Sequence, residues 1–223
     1  MYSFKDLKLM KQTKTGDKIN ILVLADIESK LLYDYYTPDS IKDIDLIISC
    51  GDLRPEYLDF FVTLSNAPLL YVKGNHDTRY ERNPPQGCIC IEDTIYVYRG
   101  IRILGLGGSM QYLPGAGCQY TQQRMKSRVL KLVPKLWWHK GFDILVTHAP
   151  ARQINDLDDL PHQGFEVFKT LLEKYKPKFF FHGHVHANYN RIFKRVDTYG
   201  ETTIINAYDH YIVEYPLINI ISR

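Results

Sequence analysis

The sequence predicts an α/β fold, on three observations: short apolar runs alternate with longer stretches of helical periodicity, five of those runs stop at Asp, Asn or His, and further short segments follow one another with no helix between them. Residues 19–25 form the first run, apolar apart from Asn20, as in a strand buried on both faces, and it ends at Asp26. A helix is expected over 29–36, a second strand over 45–49 that leads to Gly51-Asp52, and a helix over 55–65. The third buried strand, 69–72, runs into Gly74-Asn75-His76-Asp77. Segments 94–98 and 101–106 read as antiparallel additions, and helical periodicity resumes over 122–138 with an interruption at Pro134. The strand 143–147 ends at His148, a helix covers 164–175, and the strand 178–181 ends in His182-Gly183-His184-Val185-His186. Segments 190–196, 202–207 and 211–215 complete the set as antiparallel strands. Residues 83–87 and 114–117 are loops, and Gly105-Leu106-Gly107-Gly108 lacks dinucleotide-binding spacing and reads as a turn.

Composition sets bounds on what this fold is used for. With 223 residues, 45% of them hydrophobic and 24% charged, the chain can bury a sizeable core without disulfide or structural metal, so a metal site in it is functional. The net charge of +3 lies entirely in the first eighteen residues, which hold five Lys against two Asp; the body is formally neutral, which excludes a broad nucleic-acid-tracking face. Residues 1–18 are therefore set apart as a basic extension, and 19–223 as one domain. No apolar run approaches the ~20 residues needed to span a bilayer, so no membrane partner and a cytoplasmic location are expected. Four Cys (50, 88, 90, 118) show no zinc spacing and read as free, mostly buried thiols. Trp137-Trp138 reads as helix-end packing.

Residues at the carboxyl ends of neighbouring strands share one crevice. Asp26, Glu28, Asp52, Asn75, His148, His184 and His186 then form a mixed oxygen and imidazole set of seven, too many for one ion and suited to two divalent ions. Asp52 suits a bridging position, because the preceding Gly permits a tight turn and its two oxygens can serve one ion each. His184 and His186 alternate on an extended segment and so face one way. His182 shares that parity and reads as a core histidine.

The ordered series Asp-x-x, Gly-Asp, Gly-Asn-His-Asp, His, Gly-His-x-His resembles the calcineurin-like metallophosphoesterase superfamily over almost the whole chain. The resemblance implies a four-layer αββα sandwich of two mixed β-sheets flanked by helices. It also implies Asp26, Asp52 and His186 on a first metal, Asp52, Asn75, His148 and His184 on a second, and a catalytic His76 oriented by Asp77. Motif one departs from the family, with Asp26-Ile27-Glu28 where Asp-x-His is usual. A ligating Glu28 would tilt that site toward Mn²⁺ or Mg²⁺ rather than Zn²⁺, while a Glu28 turned away would leave the first site loosely occupied; Mn²⁺ is the first expectation for the pair of ions, with Fe, Zn²⁺ or Mg²⁺ as the alternatives. In the implied mechanism a hydroxide bridging the two ions attacks phosphorus in line and His76 protonates the leaving oxygen. Arg54 is placed to contact a substrate phosphate, and His162, beside the acidic stretch 156–159, to line the substrate mouth; a solvated helix-terminal Arg and a surface cap are their plainer readings.

Residues 147–150, 177–186 and 202–207 are similar to a small single-domain phosphodiesterase subgroup that includes the brain metallophosphodiesterases. That implies hydrolysis of small phosphodiesters, with 2′,3′-cyclic nucleotides or artificial aryl diesters as first substrates. The alternatives are a phosphomonoesterase acting on a small metabolite or nucleotide, and a non-catalytic scaffold of the same fold. Without metal the carboxylates of Asp26, Glu28 and Asp52 would make the site anionic.

Overall fold

The computed structural model describes residues 18–187 and 193–217. In chain order its strands are β1 (Lys18–Ala25), β2 (Leu46–Ser49), β3 (Leu69–Tyr71), β4 (Ile89–Cys90), β5 (Thr94–Tyr98), β6 (Ile101–Leu106), β7 (Ser109–Met110), β8 (Gln119–Tyr120), β9 (Ile144–Thr147), β10 (Phe179–His182), β11 (Val196–Tyr199), β12 (Thr202–Asn206) and β13 (Asp209–Pro216). The helices are α1 (Pro55–Leu64), α2 (Gln122–Lys131), α3 (Val133–Trp138) and α4 (Glu166–Tyr175). β7 and β8 pair as a small parallel ribbon, and of the two large sheets one has the order β13-β1-β2-β3-β4 and the other β11-β12-β10-β9-β6-β5. Both are mixed: β1 to β4 run parallel with β13 antiparallel at the edge, and β6, β9, β10 and β12 run parallel between antiparallel β5 and β11.

The period-two alternation of each central strand builds the layers. Ile19, Ile21, Val23 and Ala25 of β1, Leu46 and Ile48 of β2, Ile144 and Val146 of β9, and Phe179 and Phe181 of β10 all enter one core between the sheets. The intervening Leu22, Leu24 and Ile47 face outward onto Tyr57, Leu58 and Phe61 of α1. On the far side Leu145 and Phe180 meet Met125, Val129, Leu136, Phe168 and Leu171 of α2, α3 and α4. The result is the αββα sandwich. Because the parallel strands of each sheet point the same way, their carboxyl ends collect along one rim.

Three segments differ from the expectation. Residues 29–36 form turns, not a helix: Tyr33 N donates to Ser29 O, but the next bond, Tyr35 N to Lys30 O, skips a residue, and the ladder stops. So short a segment cannot repay helix nucleation by itself, and its rings are held instead by tertiary packing, Tyr33 and Tyr36 standing edge-on to Phe60 at 4.8 and 5.3 Å. The strand expected over 190–196 lies partly outside the described residues, and the observed β11 is displaced to Val196–Tyr199 by a hairpin whose two-residue turn has Gly200 at φ +58°. The stretch 122–138 divides into α2 and α3, with Pro134 in the first turn of α3, where no amide hydrogen is required.

Candidate metal centre

Each buried strand stops where its next side chain must turn into the rim. Asp26, Asp52 and His184 achieve this by adopting left-handed backbone conformations, with φ of 70°, 59° and 67°, a cost of order 1–3 kcal/mol each that persists only where surroundings enforce it. Gly74 shows how close the approach is: a Cβ there would stand 2.1 Å from Asp52 Oδ1. Gly183 likewise leaves room for the Asp26 carboxylate, 2.8 Å from where its Cβ would be.

The rim brings together Asp52, His148 and His184, whose ligand atoms lie within 4.8 Å of one another. His148 is fully buried and its Nδ1 donates to Cys50 O at 2.8 Å, which directs Nε2 at Asn75 Oδ1 (3.0 Å) and Asp52 Oδ2 (3.2 Å). His184 Nε2 donates to Pro161 O at 2.8 Å, which leaves Nδ1 as its lone-pair nitrogen. Burial works against the charged form of His148, but the Asp52 carboxylate outweighs it and pushes the imidazole up to about 9. Burial also acts to raise Asp52, yet the charge and hydrogen bond of His148 hold that carboxyl well below the usual range. His184 is driven the other way, down to about 3, by burial and then by its neighbour His148. A proton on His148 Nε2 thus stands between two oxygens, with a second imidazole alongside at 4.8 Å between ring centroids. Two oxygen ligands and two imidazole nitrogens are a donor set that fits a divalent cation in place of that proton.

The residues expected at a first metal are less closely gathered. Both oxygens of Asp26 accept the His184 backbone N–H at 3.0 Å, and His186 Nε2 lies 3.4 Å from Asp26 Oδ1. Glu28 points elsewhere: Oε1 and Oε2 accept from Arg54 Nε and Nη2 at 2.5 and 2.6 Å. Of the two readings of Glu28, the structure has the one turned away from Asp26 and Asp52, and the same pair engages Arg54. Charge and hydrogen bonding from Glu28 raise the already high Arg54 pKa further. With Glu28 neutralised, the charges facing the centre are those of Asp26 and Asp52.

A sequence model of the calcineurin-like phosphoesterase family matches residues 19–188. The chain belongs to that family. The UPF0046 protein C25E10.12 of Caenorhabditis elegans is 24% identical over 250 residues, covering 90% of this chain and 82% of that protein. The protein TT1561 of Thermus thermophilus superposes with a TM-score of 0.60 at 16% identity, over 86% of this chain and 90% of its own. Another solved chain reaches 0.64 at 16% identity, over 89% and 95%. At such identities the two structures speak to the fold alone, and they share this one.

Asp77, expected to orient the His76 ring, makes its hydrogen bonds elsewhere. Its Oδ2 accepts from the backbone N–H of Asp52 (2.7 Å) and Gly74 (2.8 Å), and its buried Oδ1 has no hydrogen-bond partner. Asp77 therefore ties two ligand loops together, and burial with the nearby Asp52 charge pushes its carboxyl up to about 6. His76 is exposed at the rim, its backbone N–H donating to Asp52 Oδ1 at 2.8 Å. His162 lies beside the centre, its ring 5.1 Å from that of His184 and its Nδ1 on Asp159 Oδ2 at 2.5 Å. His182 is buried against Phe180, with Nδ1 on Gly183 O. Sequence reasoning did not find Tyr112, whose hydroxyl accepts from Asn75 Nδ2 at 3.4 Å, nor the carbonyls of Cys50 and Pro161 that orient the histidines. Nothing local marks a tyrosine on a loop or a backbone oxygen as a site component. Of the glycine run expected as a turn, Gly105 and Leu106 end β6, and Gly107-Gly108 make the close approach, Gly108 N donating to Lys73 O at 2.7 Å.

Proposed function

We propose that this family member is a dinuclear metal-dependent phosphoesterase that hydrolyses small phosphodiesters, with 2′,3′-cyclic nucleotides as a candidate class. The observation that carries the proposal is the convergence of Asp52, Asn75, His148 and His184 on one point, with both histidine tautomers set by backbone carbonyls. Asp52, Asn75, His148 and His184 would hold the better-formed site, and Asp26, His186 and the shared Asp52 the other, with Mn²⁺ the first metal to try. Divalent ions there supply a Lewis acid for the phosphoryl oxygens and acidify water toward neutral pH. The chain's own part is positional: Asp77 fixes the Asp52 and Gly74 loops, Cys50 O and Pro161 O fix the imidazoles, and His76, exposed at the rim, serves the leaving oxygen as general acid. His162 and Tyr112 flank the opening. Four free cysteines support action in the reducing cytoplasm.

A diester preference is tested by comparing bis-p-nitrophenyl phosphate with p-nitrophenyl phosphate at saturating Mn²⁺. Faster turnover of the diester supports the proposal, and faster turnover of the monoester replaces it with a phosphomonoesterase. A scaffold of this fold would turn over neither, yet its buried, carbonyl-oriented imidazoles and left-handed ligand positions would then serve no purpose.

A further inference from the structure

Trp137 and Trp138 do not pack at a helix end. They are 79% and 77% exposed, beside Leu130 at 58% and Val133 at 47%. α2 and α3 meet at Leu132 in right-handed helical conformation (φ −84°, ψ −10°), so Lys126, Leu130, Val133 and Trp137 fall on one stripe at helical spacing. Along one flank this stripe borders a groove of about 490 Å³, where Val167, Leu171 and Tyr175 of α4 complete an apolar lining. Residues 122–142 hold two Arg and four Lys and no Asp or Glu. Arg128 is turned onto Glu92 and Asp93 and Lys135 onto Asp93 O, while Arg124, Lys126, Lys131 and Lys140 are exposed around the apolar stripe.

We propose that this face adsorbs to an anionic lipid surface, with Trp137, Trp138, Leu130 and Val133 entering the headgroup boundary and the surrounding lysines meeting lipid charge. Amphipathic indole rings favour that boundary, and cations flanking an apolar face are the composition of interfacial helices. A second copy is the poorer occupant, because a two-fold contact would set the exposed Arg124, Lys126, Lys131 and Lys140 against themselves, with Glu166 the one acid among the groove's lining residues. A nucleic-acid strand would leave the aliphatic stripe unmatched. The expectation of no membrane partner rested on the lack of a spanning segment, and among the described residues no helix is long and apolar enough to span; adsorption requires neither. Trp138 precedes the start of β9 and His148 follows its end, so the patch and the metal centre lie at opposite ends of that strand. Adsorption therefore leaves the centre open to a soluble substrate.

The chain's two tryptophans are both in the patch, so tryptophan emission, excited beyond the absorption of tyrosine, reports on it alone. Phosphatidylcholine vesicles containing about 30% phosphatidylserine should shift the emission to the blue and co-sediment the full chain, while phosphatidylcholine alone should do neither, and salt should reverse the effect. Replacing Lys126, Lys131 and Lys140 together by Gln should weaken vesicle binding roughly 100-fold. Trp137→Ser with Trp138→Ser should abolish co-sedimentation, with circular dichroism and turnover of a soluble diester as in wild type. No shift with anionic vesicles at low salt would overturn the proposal. So would a lipid-free shift that grows with protein concentration, the mark of a second copy, or one produced only by a single-stranded oligonucleotide.

Discussion

Both carboxylate oxygens of Glu28 are held by the Arg54 guanidinium, at 2.5 and 2.6 Å, at the position where the family's motif one usually places a metal-binding histidine. The two ions of the proposed centre should therefore bind unequally. Calorimetric titration of the metal-free chain with Mn²⁺ should resolve one tight and one weak event, and Glu28→Gln should change either affinity by less than about tenfold, since a group already committed elsewhere is not a ligand. Two equal tight events that become one in Glu28→Gln would restore Glu28 to the metal set.

Asp77 serves the scaffold of the centre, with its Oδ2 on the N–H groups of Asp52 and Gly74. Asp77→Ala leaves two inward-facing donors without an acceptor, at roughly 1–3 kcal/mol each. Urea denaturation should show a loss of about 2–6 kcal/mol, accompanied by weaker metal binding. If Asp77 acted through the His76 ring instead, stability and metal content would hold while the basic limb of the pH–rate profile moved.

A general acid matters most when the leaving group is a poor one. His76→Ala should cost roughly 10²–10⁴ in kcat for an alkyl diester and less than about tenfold for a p-nitrophenyl diester. Equal losses on both substrates would assign His76 to binding or to the loop.

The cysteines give an independent check on the packing. Cys90 is exposed, whereas burial pushes Cys88 up to about 12 and Cys118 up to about 11 and raises the fully buried Cys50 well above its usual value. Cys88 and Cys118 are therefore far less thiolate at pH 8 than an ordinary thiol. A chromogenic disulfide should react with one thiol quickly in the native chain and with four in denaturant. Three or four fast thiols would mean that the sheet edge around β4 is open.

The strand ends were legible because an apolar run halted by Asp or His states both the burial and its limit, as at Ala25-Asp26 and Thr147-His148. What escaped were contacts made to something other than a neighbouring motif. Asp77 is next to His76 in the chain but spends its oxygen on a backbone amide 25 residues away, and Glu28 meets an arginine 26 residues away. The helical pattern over 29–36 was overridden by Phe60, which offers its tyrosines edge contacts. Trp137 and Trp138 look like core residues by composition, and only the direction of α3 shows that they face outward.

The central claim is that Asp52 and its partners hold metal for phosphoester cleavage. It is tested most directly by measuring bound metal and bis-p-nitrophenyl phosphate turnover in the chelated chain, after Mn²⁺ is restored, and in Asp52→Asn. Turnover should appear only with metal, and Asp52→Asn should lose both metal and at least about 10² in kcat. Metal-independent turnover, or an Asp52→Asn chain that keeps its metal and its rate, would contradict the account.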